Sequence, residues 1–577
     1  MASRSPEILT TGVLVAGGGG AASRAALEAR LAGADVVLAV KGSYGNIGVR
    51  GSGSTAGGVS DRGGVVYPHT PSIQGFEPDG APRLTPEKDY ENILQLGLGM
   101  ADPKLARIQA EEAHDAMRPL VEDWGAQVFP RRWGMMSHGV PIATALAREV
   151  RRSGVTVLEG TMVTDVLIAD GRAAGAVAVE ERTGKEKVIR AQAVILGTGG
   201  EGGMFRHRLT SACTTGDGYA MAWRAGAKLM NLEFKQTFPG TVWPTVNHFS
   251  AWFLVPHARI ANALGEEYIE RYLPEGVMLE EVYRQRGSHG PFSARDSASR
   301  YFDVATMLET KAGRANEHEA LLVDLTDPRV TDPLVPPRRE YFHYRGIRYL
   351  EQPIEFNICF HCSNGGVRID ENGESAVSGL YAAGEAAAGP HGANRLAGHM
   401  LTTSQVFGRR AGRHAAARNE PPEAANEEEA VGAIESLRSA RGGERPAAVR
   451  ADLEKLCWDN LLVHVNADTL VAAAAGLRDL RGRLGHLRVE SPADLVTALE
   501  LRNMVQVGEV LRRAIEMRKE SRGDQYREDF PERNDAEWNR VIVAGRDGDG
   551  VRLTTDVLDP DWPTRQRPGD MLGMRWG

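Results

Sequence analysis

The sequence predicts an α/β fold with a separate middle lobe and a mostly helical C-terminal part. Three observations carry this. The first forty residues read as strand, glycine-rich turn, helix and strand; residues from about 236 to 350 are rich in aromatics and proline; and helix-forming sequence dominates from Ala430 to Arg518. The composition is that of an ordinary globular protein, 42% hydrophobic and 25% charged over 577 residues, a length that suits three to four domains at about 150 residues each. The balance of 68 basic against 76 acidic residues, a net charge of −8, excludes nucleic acid as a partner and a polybasic membrane anchor. Four cysteines exclude a disulfide-stapled scaffold. The apolar run Gly12–Ala16 is too short for a signal segment and no run of about 20 apolar residues occurs, so no membrane segment and a cytoplasmic location are expected.

The elements follow in order. Val13–Ala16 is a short apolar run of the buried-strand kind, Ala21–Leu31 has helical spacing, Gly33 ends that helix, and Ala34–Val40 is a second apolar strand. Together they form a β-α-β unit. After a long Gly/Ser-rich loop, helical patterns run over Asp89–Leu98, Pro103–Trp124 and Ile142–Arg152. Val155–Leu158, Asp165–Ile168 and Ala174–Glu180 are strand-like, with turns at Gly171-Arg172 and Gly184-Lys185, and predict a β-meander. Ala193–Leu196 leads into a second glycine cluster; residues 415–432 are an acidic, Pro-containing link, and Val541–Val543 is strand-like. Glycine totals 66 residues, roughly 11% against an average near 7%, and much of it sits at 17–20, 42–58, 197–203 and 365–412.

Gly17, Gly19 and Ala22 form G-x-G-x-x-A directly after a strand and at the start of a helix. The first glycine permits the tight turn, the second lets a pyrophosphate approach the backbone, and the helix N-terminus offers unpaired N–H groups to phosphate. This is a Rossmann-like dinucleotide site. The acid expected about 20 positions later to hold a ribose is absent, since the second strand ends Val40-Lys41-Gly42, which argues against a simple NAD site. Glycine clusters far along the chain point instead to a cofactor cradled by several distant loops, and FAD fits that better.

The chain resembles the flavoprotein family of succinate dehydrogenase, fumarate reductase and L-aspartate oxidase. The resemblance rests on VLVAGGGGAASRAALEA, ILGTGG, TGDGYAMAWRAGAKLMNLEF, ARDSASR, HCSNGGVRID, GLYAAGEAAAGPHGANRL and RKESRGDQYREDFPERNDAEW, in that order from Val13 to Trp538. It implies a Rossmann-like FAD-binding domain in two parts, residues 1–237 and 351–420, interrupted by a capping (substrate) domain at 238–350 and followed by a mostly helical domain at 428–577. It further implies FAD contacts from Gly17, Gly19, Gly20, Ala21, Ala22, Lys41, Gly42, Ser52, Gly57, Gly58, Val163, Thr198, Gly199, Gly200, Asp217, Glu385 and Arg395. Backbone amides at Met400 and Leu401 would face the flavin pyrimidine edge. Respiratory members attach FAD through a histidine, but that position holds Gly51 and no histidine occurs between residues 1 and 68, so the FAD is expected to be non-covalent.

By the same resemblance Arg295 is the arginine associated with proton transfer during hydride exchange at flavin N5, and His361 and Arg395 grip a substrate carboxylate. Three positions depart from the pattern. Phe238, in Gln-Thr-Phe-Pro, stands where the family has a carboxylate-binding histidine, and Ala251 and Leu254 stand where it has the glutamate and arginine of a proton relay. An anionic group desolvated against Phe238, Trp243, Trp252 or Phe253 would cost several kcal/mol without a partner. The expected substrate is therefore a small acid with one carboxylate or carbonyl group near His361 and Arg395 and an apolar portion, not succinate or fumarate. Cys359 and Cys362 form a lone C-x-x-C without further ligands at metal spacing, so no metal is expected. The alternatives are a C–N oxidase like L-aspartate oxidase, a flavoprotein paired with an iron–sulfur protein in the manner of adenylylsulfate reductase, and a flavoprotein serving only electron transfer or assembly. A homo-oligomer or an iron–sulfur electron-transfer partner follows from the resemblance.

Overall fold

Strand β1 (Glu7–Ala16) becomes continuously buried from Val13, and α1 (Gly20–Leu31) begins at Gly19 in extended backbone. Gly33, at φ +96°, turns the chain back into β2 (Val36–Val40), whose five residues are all buried. The computed structural model describes residues 6–45, 65–67, 85–126, 129–131, 134–137, 139–248, 253–294, 298–332, 336–396, 398–418, 426–548 and 550–565. Three short strands, β3 (Val65–Tyr67), β4 (Phe129–Arg131) and β5 (Gly134–Ser137), form a small sheet of their own. Helices α2 (Pro86–Gly97) and α3 (Pro103–Glu122) each start with proline in the first turn behind a side-chain cap, Thr85 and Asp102 respectively. Helix α4 (Gly139–Arg152) leads into β6 (Thr156–Glu159), β7 (Thr161–Ala169), β8 (Arg172–Glu180) and β9 (Glu186–Leu196).

The main sheet has the order β6-β2-β1-β9-β8-β7. The strands β6, β2, β1 and β9 are parallel neighbours, and β9-β8-β7 are antiparallel. The meander is thus β7-β8-β9, and the strand expected at Val155–Leu158 belongs to the far parallel edge. The turn that separates them is at Gly160, φ +59°.

The middle lobe follows α5 (Asp217–Arg224) and β10 (Leu229–Met230). It contains β11 (Lys235–Trp243), β12 (Asn247–His248), β13 (Arg259–Ala261), α6 (Leu279–Arg286), α7 (Arg300–Lys311), β14 (Leu321–Asp324), α8 (Pro336–Tyr344) and β15 (Ile354–Ser363). Its sheet, β12-β11-β15-β14-β13, runs across the expected limits at 237 and 351. The chain then returns through β16 (Gly366–Arg368), β17 (Leu380–Ala382), which pairs with β9, β18 (Ala387–Ala388) and α9 (His399–Ala416). On α9, Gly408 and Gly412 face α1; a Cβ there would lie 2.8 Å from Ala21 O and 2.3 Å from Ala25 O. The absence of side chains at these two positions is what lets the helices touch.

The last third forms α10 (Glu427–Arg438), α11 (Pro446–Leu461), α12 (Ala467–Leu484) and α13 (Pro492–Met517). Ser491 and Asp494 cap α13 reciprocally, which holds the start of a 26-residue helix. A hairpin of β19 (Val541–Asp547) and β20 (Gly550–Asp556) adds to β10. Among the described residues no helix is long and apolar enough to cross a membrane.

Candidate active site

A cleft opens at the carboxyl ends of β1, β2 and β9. Ala16 pairs with Leu196, so the glycine turns after the two strands lie side by side. Gly17 has φ +122°, and a Cβ on it would sit 2.3 Å from Gly197 O, while one on Gly197 would sit 2.7 Å from Ala22 Cβ. The two turns and α1 interlock only because these positions are small. Of the residues implicated from sequence, Gly17, Gly19, Gly20, Ala21, Lys41, Val163, Thr198, Gly199, Asp217, His361, Glu385, Arg395, Met400 and Leu401 line the cleft. Three do not. Ala22 is fully buried against Gly197, the Gly42 amide donates to Glu181 Oε2 at 2.8 Å, and Gly200 lies under Glu385, where a Cβ would be 2.6 Å from Oε1. Ser52, Gly57, Gly58 and Arg295, with Gly51, Ala251 and Trp252, lie outside the described residues.

Two helices point their N-termini at this cleft. Gly19 precedes α1, and Gly398, at φ +83°, precedes α9, which places Met400 and Leu401 in its first turn. The positive dipole end of a helix suits phosphate or a flavin edge that gathers negative charge. The Thr198 hydroxyl, buried in the cleft wall, has no hydrogen-bond partner among the described residues.

The charge at the end of β2 is inverted from the usual acid and then neutralised by distant residues. Lys41 Nζ donates to Asp217 Oδ2 at 2.8 Å, Glu500 Oε1 at 2.8 Å and Thr215 Oγ1 at 3.0 Å. Burial would lower the pKa of this ammonium, but Asp217 and Glu500 outweigh it and raise the pKa. Asp217 Oδ1 accepts from Asn503, and Glu500 Oε2 from Arg450. Glu385 Oε1 accepts the Ser363 amide at 3.0 Å, and burial pushes its carboxyl up to about 7. Burial together with Glu385 does the same to Glu201.

At the other end of the cleft stands His361. β15 carries an extra residue opposite Gln236/Thr237, since Gln236 pairs with Cys362 and Thr237 with Phe360. Such a bulge re-aims a side chain, and here His361 faces the cleft. Burial, helped by Arg395, pushes its imidazole down to about 3, so it is neutral, and the buried Nδ1 has no partner among the described residues. Arg395 is held by Gln236 Oε1 at 2.6 Å and Leu396 O at 2.8 Å, leaving Nε without a partner among the described residues. Gln236 also donates to Asn394 Oδ1 at 2.8 Å.

The aromatic residues separate into different roles. Phe238 lies edge-on to His361 with ring centroids 4.9 Å apart. Phe253 is fully buried among Phe302 and Phe356, and Trp243 is 51% exposed and stacked on His318. These two therefore pack the lobe and cover its surface rather than meet a substrate. Leu254 packs against the same core. Cys359 and Cys362 are free thiols pushed up to about 12 by burial, and among the described residues no cluster of metal-ligating side chains occurs.

The segment Arg518–Arg527 braces the site from behind. The Ala294 amide donates to Gly523 O at 2.7 Å and the Asp524 amide to Ala393 O at 2.8 Å, while Asn364 donates to Asp524 Oδ2 at 2.8 Å. Arg518, Glu233, Glu520 and Arg522 form a fully buried ionic chain beneath it. Sequence reading did not single out Glu500, Asn503, Gln236, Asp524 or His248. The first two lie some 460 residues from Lys41, and nothing local marks them.

Comparison with known proteins agrees with this geometry. A family model for the FAD binding domain matches residues 123–401, and one for the fumarate reductase flavoprotein C-term matches residues 450–567. A subunit of the fumarate reductase (CoM/CoB) of Methanothermobacter marburgensis is 30% identical over 94% of this chain and 98% of its own. The chain belongs to the succinate dehydrogenase and fumarate reductase flavoprotein family. L-aspartate oxidase of Streptomyces coelicolor is 29% identical over 83% of this chain and 85% of its own. Among solved structures, Sdh1 of Mycobacterium smegmatis in complex with UQ1 superposes with a TM-score of 0.78 at 26% identity, covering 95% of this chain and 94% of that one. This flavoprotein is thus an FAD-dependent oxidoreductase with the α/β FAD domain and helical C-terminal part of its family. The glycine cradle at Gly17, the two helix N-termini and the unpartnered Thr198 hydroxyl fit FAD.

Proposed function

We propose that this flavoprotein moves a hydride between FAD and a carbon next to a carboxylate or carbonyl group, as C–C desaturation or alkene reduction, on a small acid other than succinate or fumarate. The observation that carries the reading is the pairing of Arg395 with a neutral His361 on the cleft wall, with Phe238 beside them. FAD, when bound non-covalently, supplies a hydride acceptor or donor at N5. The first turns of α1 and α9, Lys41, Thr198, Asp217 and Glu385 would hold it. Arg395, oriented by Gln236 and Leu396, binds one end of the substrate as a charge-assisted donor. His361, being neutral, adds a hydrogen bond without a second charge. Phe238 offers an apolar face to the remainder of the substrate. Arg295 stabilises negative charge developing on the substrate or delivers the proton, and the middle lobe excludes water over the reacting carbon.

The chain divides for this purpose into an FAD-binding domain at 1–237 and 351–420, a capping domain at 238–350 and a helical domain at 428–577. The reading includes a cytoplasmic enzyme that works with an electron-transfer partner; the Methanothermobacter relative being named as one subunit of its enzyme supports a partner. Anaerobic flavin spectroscopy with a panel of mono- and dicarboxylates tests the reading: a monocarboxylate with an apolar tail should exchange electrons with the flavin. Fast turnover of succinate or fumarate would overturn it. The likeness to L-aspartate oxidase favours one second reading, oxidation of an amino-acid C–N bond, which peroxide and ammonia release from an amino acid would reveal.

A further inference from the structure

The second glycine turn runs into Glu201, and the backbone there brings two carboxyl groups together. A Cβ on Gly200 would lie 2.6 Å from Glu385 Oε1, so the missing side chain is what lets the Glu385 carboxyl lie against this turn. The two acids differ in their surroundings. Glu385 is partly exposed and lines the cleft; its Oε1 accepts the Ser363 amide at 3.0 Å, and Arg395 faces it. Glu201 is 1% exposed, and neither of its carboxyl oxygens has a hydrogen-bond partner among the described residues. Facing it are Glu385, Lys235 of β11, the Ser363 hydroxyl of β15, Tyr219 of α5 and Cys457 of α11. The Tyr219 hydroxyl donates to Glu385 O at 2.7 Å, which spends its only proton. Lys235 is 3% exposed and gives one N–H to Glu233 O at 2.9 Å.

Two carboxylates and one ammonium in this pocket would leave a negative charge away from water, and one proton shared by the carboxyls removes it. Burial raises the pKa of both acids, and the charge of Glu385 adds to the rise at Glu201. The proton settles on the acid whose charged form is less well served. Glu385 has an amide donor and a side open to the cleft; Glu201 has neither. We propose that Glu201 is a positioning residue of the cofactor site: it keeps the shared proton and so holds Glu385 ionised, as a pure acceptor toward the cleft. An ionised carboxylate has no proton to give, so the ligand edge that fits it carries hydroxyl donors, as the ribityl and ribose parts of FAD do. The assignment rests on the reading that Glu385 holds FAD.

The test compares the FAD-loaded full chain with Glu201→Gln and Glu385→Gln by infrared spectroscopy at neutral pH, where subtraction cancels every other acid. Subtracting Glu201→Gln from the unaltered protein should leave the carbonyl stretch of a protonated carboxylic acid, and subtracting Glu385→Gln should leave carboxylate bands. The acid band lost in Glu385→Gln, or carboxylate bands lost in Glu201→Gln, overturns the proposal. The second readout is the FAD dissociation constant of the apoprotein, from flavin fluorescence. Glu385→Gln should weaken FAD about tenfold or more, the loss of a hydrogen bond to a charged group. In the unaltered protein FAD affinity should fall as pH drops through about 7, where Glu385 takes a proton. Glu201→Gln should keep the midpoint of that fall, because the amide replaces an acid that is already neutral. A midpoint moved to lower pH means that a negative charge was removed, and overturns the proposal. FAD held equally well by Glu385→Gln overturns the reading that Glu385 holds the cofactor, and the positioning role with it, whichever acid carries the proton in the infrared spectra. If Glu201→Gln does not fold, Glu201→Met, apolar and of similar length, carries the same comparison.

Discussion

Replacing Lys41 by methionine tests the ionic floor of the cofactor cleft. The Lys41 side chain is 13% exposed, and its partners Asp217 and Glu500 are 7% and 0% exposed. With lysine, Arg450 and the two carboxylates, the cluster is neutral; with methionine it carries one uncompensated negative charge. Glu500 retains Arg450 at 2.6 Å, whereas Asp217 retains only neutral partners among the described residues, the Asn503 amide at 2.8 Å and the Thr215 hydroxyl. The loss therefore falls on one carboxylate, and removing one partner of a buried pair costs about 3–5 kcal/mol. Lys41→Met should lower the unfolding free energy of the apoprotein by that amount, read from denaturant curves followed by both tryptophan fluorescence and circular dichroism so that their coincidence can be checked. Lys41→Met with Asp217→Asn should recover most of it, because the stranded charge is gone. A loss below about 1 kcal/mol for Lys41→Met, or a double variant no better than the single, would refute the reasoning.

Gly17→Ala should purify with its helices intact by circular dichroism but without flavin absorbance, because a Cβ at φ +122° would meet Gly197 O at 2.3 Å; retention of stoichiometric FAD would contradict the cradle. His361 is neutral in the fold down to about pH 3, while an unfolded histidine takes its proton near pH 6.5. Between those values the unfolded chain binds more protons, so stability contributed at this site falls by about 1.4 kcal/mol per unit as pH drops below about 6.5. His361→Gln should remove that slope, and parallel pH–stability curves for the two proteins would count against a neutral buried imidazole. Cys359, Cys362 and Cys457 are buried, with thiols pushed up to about 12, so a thiol reagent should label Cys213 alone in the native protein. FAD should slow that labelling, because Cys213 lines the cleft.

The parts legible in sequence were those set by local rules. The β1–α1–β2 unit, its glycine turn and the helix after it could be read because a tight turn, a helix N-terminus and a buried strand each demand particular residues within a few positions. His361 and Arg395 were found through motif resemblance and do share the cleft. What stayed hidden depends on pairing between distant segments. The parallel placement of β6 beside β2 rests on strand partners more than a hundred residues apart. The bulge that turns His361 toward the cleft shows only in the register against β11. Phe253 and Trp243 look alike in sequence as aromatic residues of one lobe, yet one is core and the other is half exposed. Glu500 and Asn503 sit in an amphipathic helix whose polar positions would ordinarily face water.

The position of those two residues on α13 has a consequence for how the molecule is made. Every strand of the main sheet is complete by residue 382, so the nucleotide fold can form on the ribosome long before the chain reaches 500. Until then Lys41 and Asp217 face an open groove in place of the helix that supplies Glu500 and Asn503. A chain truncated before α13 should therefore retain less flavin than the full chain, measured as FAD absorbance per protein, on the proposed role of Lys41 and Asp217.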